Sequence, residues 1–520
     1  MTETQSDTTL EEIQNFSGKY PRQLWYLFFS EMWERFCFYG MRGMLTYFMV
    51  TELMMNEEKA NLQYGATQAF VYAFTFVGGL FADKILGFRR SLFWGGLLMI
   101  AGSAILAFDP HRFFFEGISF TVVGTGFFKP NISTMVGSLY KSNDSRRDAG
   151  FSAFYAGINL GALIGGYACI TIGKQYSWNM AFGLAGIVMT ISLLTFLFTQ
   201  KSLGPIGLPP SYKQKLRPVL SEAPGATVSG GAAEISQTAQ TKNWYSYAVY
   251  VGSLAVIPVI MIMVSQTQYT DWLMYTIGPL TLIYLFWEMR KYDSEARKKL
   301  WAALFLIIFS IIFWAFFEQS GGSLSLFAAY NLNNKLLGVF TLDPNGVNNA
   351  ANSLFVIAFA GIIGSVWLSL ANKNREPNTV VKFGLGFLFL AGSFFTFYVC
   401  RYFANEAGIA SLDVFTLAYF IISIGELCLS PIGLSAMTRL SPPKLQGMMM
   451  GMWFLASAYG QYVAGLIGAG IAQGNESDSL AQKLLTYTDG YKQLGIYGLL
   501  AGLIMITLSP AIKKLMGGEK

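Results

Sequence analysis

The sequence predicts an all-α membrane protein of fourteen spanning helices, arranged as two six-helix bundles plus two inserted helices. Three observations predict this. Of the 520 residues, 53% are hydrophobic and only 13% charged, against about 25% charged in a soluble domain. Apolar stretches near the ~20 residues needed to span a bilayer recur fourteen times along the chain. Lysine and arginine collect in alternate connections between them, as membrane topology requires.

The elements follow in order. Residues 1–21 are a polar, acidic tail without the basic n-region and small-residue cleavage site of a signal peptide. Spans are expected at 22–50, 60–86, 91–108, 113–140, 147–173 and 178–199, forming the first bundle (22–199). Residues 200–243 hold Pro205, Pro209, Pro210, Pro218 and Pro224 and a Gly/Ala/Ser-rich run. Such a composition cannot bury a core, so the segment reads as a cytoplasmic linker. Spans at 244–266 and 270–289 make the inserted pair (244–289). The second bundle (290–514) follows, with spans at 299–330, 351–371, 381–402, 409–438, 446–472 and 489–512, then a short tail, 515–520.

With both termini placed in the cytoplasm, 26 of the 36 Lys and Arg fall on the inner side and 7 on the outer. That bias of nearly four to one satisfies the positive-inside rule. The net charge of +6 is therefore loop charge, and no basic run dense enough to track nucleic acid exists. Cys37, Cys169, Cys400 and Cys428 lie scattered in apolar segments without paired spacing, as buried small hydrophobes do. One histidine, His111, sits in a polar connection. Multi-histidine metal sites are excluded and a Ser/His/Asp triad is disfavoured, so no metal, cofactor or enzymatic activity is expected. Proton handling inside the membrane falls to carboxylates, lysine or water.

Charges inside the spans carry the functional signal, because each costs about 2.5–3.5 kcal/mol at a helix centre and persists mainly where it faces a cavity. The first span holds Glu31, Glu34, Arg35 and Arg42. At about 100° per residue these four occupy one arc of the helix. The reading is a polar stripe along a water-filled pathway; a buried ion cluster that only locks helices together is the alternative. Lys129 lies mid-span beside Pro130. In the second half, Trp314 and Glu318 share a face, and Glu426 precedes Pro431. A cavity cationic on one wall and anionic on the other suits a ligand with separated carboxylate and ammonium groups, as in a short peptide. Six spans on each side of a linker and insert, with the loop Gly79-Leu-Phe-Ala-Asp83-Lys84-Ile-Leu-Gly87-Phe-Arg89-Arg90, resemble the major facilitator fold.

Four motifs sharpen the resemblance. Glu31-Met-Trp-Glu34-Arg35-Phe36, continued by Phe38-Tyr39-Gly40, is similar to the first-helix ExxERF motif of the proton-coupled oligopeptide transporters, a peptide-carrying branch of the major facilitators. Phe154-Tyr155-Ala-Gly-Ile158-Asn159-Leu-Gly161 resembles their fifth-helix signature, and Gly124-Thr-Gly-Phe-Phe-Lys129-Pro-Asn131 and Glu426 through Pro431 fit as well. The inserted pair resembles the prokaryotic members. The resemblance covers nearly the whole chain.

It implies a proton symporter that imports di- and tripeptides by alternating access in a bacterial cytoplasmic membrane, with a monomeric functional unit and no cofactor beyond the proton gradient. By this resemblance Arg35 and Lys129 bind the peptide carboxylate, while Glu426, Asn159 and Asn352 hold its amino terminus. Tyr39, Tyr72, Trp314 and Trp453 shape side-chain pockets, where ordinary packing is the alternative for each aromatic; Ser430 joins the binding set. Two departures stand out. Asn352 is followed by Ser353 where relatives often have Asn-Pro, and Phe38 replaces a tyrosine common in the family. Glu31, Glu34, Arg35 and Glu318 would couple protons. Arg42–Glu318 would close the outer side and Lys129–Glu426 act on the inner side. The same fold carrying nitrate, a sugar or an amino acid derivative is the alternative. A membrane-embedded enzyme and a passive channel are further rivals.

Overall fold

The computed structural model describes residues 9–141, 143–210, 231–429, 436–437, 439–442, 444–472 and 478–517, the backbone alone at 231–243. A short helix, α1 (Leu10–Gln14), precedes six long ones: α2 (Arg22–Thr51), α3 (Glu57–Phe81), α4 (Phe88–Phe108), α5 (Phe114–Ser138), α6 (Arg147–Gln175) and α7 (Trp178–Thr199). Next come α8 (Gly231–Ser265), α9 (Thr267–Met289), α10 (Ser294–Phe317), the short α11 (Ser323–Asn331) and α12 (Pro344–Asn372). The chain ends with α13 (Thr379–Val399), α14 (Leu412–Leu429), α15 (Gln446–Ile471) and α16 (Leu480–Leu515).

Fourteen of these helices overlie the fourteen expected spans. Among the described residues, eleven helical segments are long and apolar enough to cross a membrane on those grounds alone. The other three, α2, α5 and α9, are 30, 25 and 23 residues long. They miss that mark because each carries charged and polar side chains, the same residues that make α2 and α5 functional candidates. The span expected at 299–330 lies within one membrane-length segment, Ser294–Asn331, but it is not one continuous α-helix. The helix ends at Phe317, a 3₁₀ turn occupies Glu318–Gly321, and α11 restarts at Ser323. Gly321 and Gly322 weaken the helix there. Helix α8 also begins at Gly231, within the segment read as linker, although its membrane-length part starts at Trp244. Between α11 and α12 lies a two-stranded antiparallel hairpin, β1 (Lys335–Leu336) and β2 (Phe340–Thr341). It turns through Leu337 and Gly338, both at positive φ.

The chain folds into two compact units. Unit 1 comprises residues 1–38, 73–161 and 178–262; unit 2 comprises 39–72, 162–177 and 263–520. In unit 1, α4 packs on α5 and α7. In unit 2, α13 packs on α14 and α16, α10 on α15, and α12 on α14. Lipid offers no hydrophobic drive for helices to associate, so close fit must supply it. An aromatic core in unit 2 does so, with Phe313, Phe383, Phe387, Phe394, Phe397, Phe415 and Tyr491 fully buried. Where α3 meets α15 the backbones nearly touch: a Cβ on Gly65 would fall 2.6 Å from the Gly465 Cα, and one on Gly465 2.7 Å from the Gly65 Cα.

The division crosses α2. A 30-residue helix is about 45 Å long, enough to serve two bodies. Its first part carries Glu31, Glu34 and Arg35 in unit 1, and its second carries Arg42 in unit 2. The four charges share an arc but not a unit.

The facilitator-like loop has a local explanation. After α3 the helix widens to a π turn at Ala82–Leu86, closed by Gly87 at φ 78°. Arg89 then donates from Nε to the Ile206 carbonyl at 2.7 Å and from Nη2 to Gly204 at 2.5 Å. It braces the strand of chain that leaves α7. Asp83 is exposed.

Candidate functional site

In unit 1, α2 presents a buried ion cluster. Arg35 Nε lies 2.7 Å from Glu31 Oε1 and 3.2 Å from Glu34 Oε2. All three residues are at most 2% exposed. Two carboxylates face one guanidinium here, and the Lys129 ammonium lies within electrostatic reach of Glu34. Glu31 Oε2 and both Glu34 oxygens have no hydrogen-bond partner among the described residues. Such a group is expensive unless ions or protons compensate it.

The fifth-helix signature packs directly on this cluster. Gly161 brings α6 against α2: a Cβ there would fall 2.1 Å from the Met32 carbonyl and 2.9 Å from the Arg35 Cβ. Asn159 is buried and donates to the Tyr155 carbonyl at 3.0 Å. Lys129, on the Pro130-containing α5, is half-buried with its ammonium 5.6 Å from the Phe38 ring centre. Phe38 thus offers Lys129 a ring face where a tyrosine would add a hydroxyl.

Unit 2 holds the second set. Arg42 pairs with Glu318 through Nη2 and Oε2. The guanidinium also donates from Nε to the Tyr64 hydroxyl at 2.8 Å and from Nη2 to Ser320 Oγ at 3.5 Å. It lies over the Tyr39 ring at 5.7 Å. Glu318 sits at the helix break, not within a helix, so its carboxylate leaves the 3₁₀ turn towards α2. Thr46 Oγ1 donates to the Gly321 carbonyl at 2.5 Å and fastens the same turn.

On α14, Glu426 is nearly buried, and Oε2 accepts from Asn352 Nδ2 at 2.9 Å. Asn352 donates also to Ser423 Oγ at 3.0 Å. Tyr39, Tyr72, Trp314 and Trp453 are all half-buried in this unit. Trp314 stacks edge-on against Phe313 and Phe317. Ser430 and Pro431 lie outside the described residues. Glu31, Glu34, Arg35, Lys129 and Asn159 belong to unit 1, and Tyr39, Arg42, Tyr72, Trp314, Glu318, Asn352, Glu426 and Trp453 to unit 2.

Sequence reading missed Tyr64, Ser320, Asn348, Tyr419 and Ser423. The last two had a signal, since Tyr419, Ser423 and Glu426 follow at i, i+4 and i+7, one face of a helix. Among the described residues no group of three or more His, Cys, Asp or Glu could hold a metal ion.

Comparison with known proteins gives the family. A family model described as the POT family matches residues 89–484. The peptide transporter YePEPT of Yersinia enterocolitica is 32% identical, covering 99% of each chain. A di-/tripeptide transporter of Lactococcus lactis is 31% identical over 97% of this chain and 98% of its own. Among solved structures, a glutamate-to-glutamine mutant of a peptide transporter POT in complex with alafosfalin superposes with a TM-score of 0.79. It is 31% identical, covering 98% of this chain and 100% of that one. A POT family transporter in complex with 5-aminolevulinic acid gives 0.78 at 29% identity, covering 97% and 100%. A family model over residues 89–484 and relatives 31–32% identical along nearly the full length of both chains place this chain in the POT family of membrane transporters.

Proposed function

We propose that this protein is a proton-coupled symporter that imports di- and tripeptides by alternating access across a bacterial cytoplasmic membrane, with both termini cytoplasmic. Its transporting core is two six-helix bundles, 22–199 and 290–514, joined by the linker 200–243 and the inserted pair 244–289, flanked by tails 1–21 and 515–520. It works as a monomeric unit.

The observation that carries the reading is the Arg42–Glu318 pair, with Glu318 only 3% exposed. A buried carboxylate is held ionised by its arginine partner, and burial without that partner favours the protonated form, so proton uptake and separation of the pair go together; the site then gains one positive charge, carried by the freed Arg42. Protonation of Glu318 frees Arg42 and the helix break to move. In unit 1, a proton on Glu31 or Glu34 removes one of the two carboxylate charges that hold Arg35 and leaves the guanidinium available to a peptide carboxylate, with Lys129 as the second cation. Glu426, with Asn352 and Asn159, receives the peptide ammonium; Tyr39, Tyr72, Trp314, Trp453 and Ser430 surround the side chains. Each proton crossing an inside-negative membrane contributes ~2.3 kcal/mol per 100 mV, enough to concentrate peptide roughly fifty-fold at about 1.36 kcal/mol per factor of ten.

Relatives named as peptide transporters along almost their full length support this cargo. The relative solved with 5-aminolevulinic acid supports a wider class: any small solute with an amine and a carboxylate held apart. Labelled dialanine uptake into proteoliposomes, acid outside and negative inside, tests the proposal. Uptake should exceed equilibrium and collapse with a protonophore. Glu318→Gln should lose accumulation yet retain counterflow exchange. Absence of dipeptide entry into wild-type vesicles would refute peptide transport, and full accumulation by Glu318→Gln would refute the assigned coupling role. Unlabelled 5-aminolevulinic acid competing at least as well as dialanine would favour the wider cargo.

A further inference from the structure

A continuous chain of hydrogen bonds, fully buried at its centre and part-buried at its two ends, runs through unit 2 from the helix break at Glu318 to Glu426, and three of its side chains, Asn348, Tyr419 and Ser423, have no part in the proposed binding or proton chemistry. Asn348, near the start of α12, donates from Nδ2 to the Ser320 carbonyl at 2.7 Å. Its Oδ1 accepts from the Tyr419 hydroxyl at 2.6 Å. One turn along α14, Ser423 Oγ donates to the Tyr419 carbonyl at 2.7 Å and accepts from Asn352, which holds Glu426. Asn348, Tyr419 and Ser423 are 1%, 2% and 0% exposed. Every link is shorter than or equal to an ordinary hydrogen bond.

We propose that Asn348 and Tyr419 are positioning residues that couple the Arg42–Glu318 pair to the Glu426–Asn352 pair. The inference rests on the transport reading above. Its physical basis is that Ser320 lies two residues beyond Glu318. When Glu318 gives up Arg42, the 3₁₀ turn that also presents Ser320 Oγ to Arg42 must shift. Asn348 is bound to that turn's carbonyl and to Tyr419 at once, so it carries the shift to α14. A phenol held by one short hydrogen bond on a buried helix face turns a shift of the turn into a shift of α14. Asn352 and Glu426 then change their spacing by the same motion. The charged and titratable groups around this path are Arg42, Tyr64, Glu318, Tyr491 and Glu426; the first three lie within electrostatic reach of Tyr419, and Tyr491 neighbours it. No other ionisable side chain is needed for the link.

The experiment compares wild type, Tyr419→Phe, Asn348→Leu and the double variant in proteoliposomes. For each, gradient-driven dialanine accumulation and counterflow exchange are measured on the same preparation, with monodispersity and melting temperature as folding controls. Tyr419→Phe removes one oxygen and keeps the ring. It should lower accumulation at least tenfold while counterflow stays within about twofold, because binding survives and coupling does not. Asn348→Leu should do the same, and the double variant should be no worse than either single one, as expected of two residues in one link. Accumulation within twofold of wild type in a folded Tyr419→Phe protein would overturn the proposal. So would equal loss of both activities, which marks a structural role only. Should Asn348→Leu not fold, Tyr419→Phe and Ser423→Ala decide alone. A wild type that carries no dialanine is a separate result: it removes the transport reading itself.

Discussion

Arg42 donates to Glu318, Tyr64 and Ser320, and the tightest constraint on that arrangement comes from Gly321. A Cβ there would lie 1.9 Å from the Tyr64 hydroxyl oxygen and 2.2 Å from Cζ. Gly321→Ala must therefore push the phenol off Arg42 or move the turn, and overpacking of this kind costs about 1–3 kcal/mol. The variant should melt several degrees below wild type and lose most gradient-driven uptake. Adding Tyr64→Phe removes the nearest oxygen but leaves the ring carbon at 2.2 Å, so it should recover only part of the melting temperature and none of the uptake. A Gly321→Ala protein as stable as wild type would show that the contact is not tight. At this scale the sequence was legible where charge was rare. Glu31, Glu34, Arg35, Arg42, Lys129, Glu318 and Glu426 announced themselves because apolar spans rarely tolerate ions. Tyr64 and Tyr419 did not, since the chain has 27 tyrosines and only three-dimensional placement separates a tyrosine that holds an arginine from one that fills a gap.

The helices themselves were legible from length and hydropathy, and their interruptions were not. The break at 318–322 hides inside a stretch whose mean hydropathy is the highest of any span, so only Gly321-Gly322 hinted at it. The β hairpin of 335–341 is too short to leave a period-two pattern. Helix α1 likewise escaped notice, yet its contacts are specific. Gln14 Nε2 donates to the Ser138 and Tyr140 carbonyls at 3.1 and 3.4 Å. Arg146 donates from Nη1 to the carbonyls of Phe16 and Gly18 at 3.1 and 2.9 Å, with its guanidinium 3.8 Å from the Phe16 ring centre. Asp144 aims that arginine, accepting from Nε and Nη2 at 3.0 and 2.8 Å. These hydrogen bonds hold the Asp144 carboxyl at about 2, below its usual value. A depressed carboxyl contributes fully above its unfolded pKa of about 3.9 and loses the contribution only as pH falls through the range from about 4 to 2. The docking of α1 should then be constant across neutral pH. Trypsin cleavage after Lys19 in detergent should be slow and show no carboxylate titration between pH 6.5 and 8.5, whereas Asp144→Asn should be cut several-fold faster throughout. Equal cleavage of the two proteins would remove Asp144 from the docking.

Across the whole molecule, unit 2 gathers helices from both ends of the chain and fastens them with three ion pairs. Arg42 meets Glu318; Lys174 Nζ meets Asp343 Oδ1 at 2.7 Å; Lys483 Nζ meets Glu57 Oε1 at 2.6 Å. The two lysine pairs are partly solvated and worth at most about 1 kcal/mol each. The sum suits a closure that must break once per transport cycle, because states that interconvert differ by only a few kcal/mol. If this unit opens during transport, a covalent bond in place of the ion pairs should stop it. Gly43 and Asn349 offer the site: a Cβ on Gly43 would fall 2.7 Å from the Asn349 Cγ, and Asn349 Nδ2 already donates to the Gly43 carbonyl at 3.2 Å. Since Cβ atoms joined by a disulfide lie about 3.8 Å apart, Gly43→Cys/Asn349→Cys should cross-link after small adjustment. The four native cysteines are buried and form no disulfide among the described residues, so they leave the readout clean. Oxidised double variant should lose more than nine-tenths of both accumulation and counterflow, and a thiol reductant should restore them, while each single variant responds to neither reagent. Counterflow that persists in fully cross-linked protein would mean that 39–72 and 263–520 stay together through the cycle, and the ion pairs of unit 2 would then be permanent struts, with the opening motion placed elsewhere in the molecule.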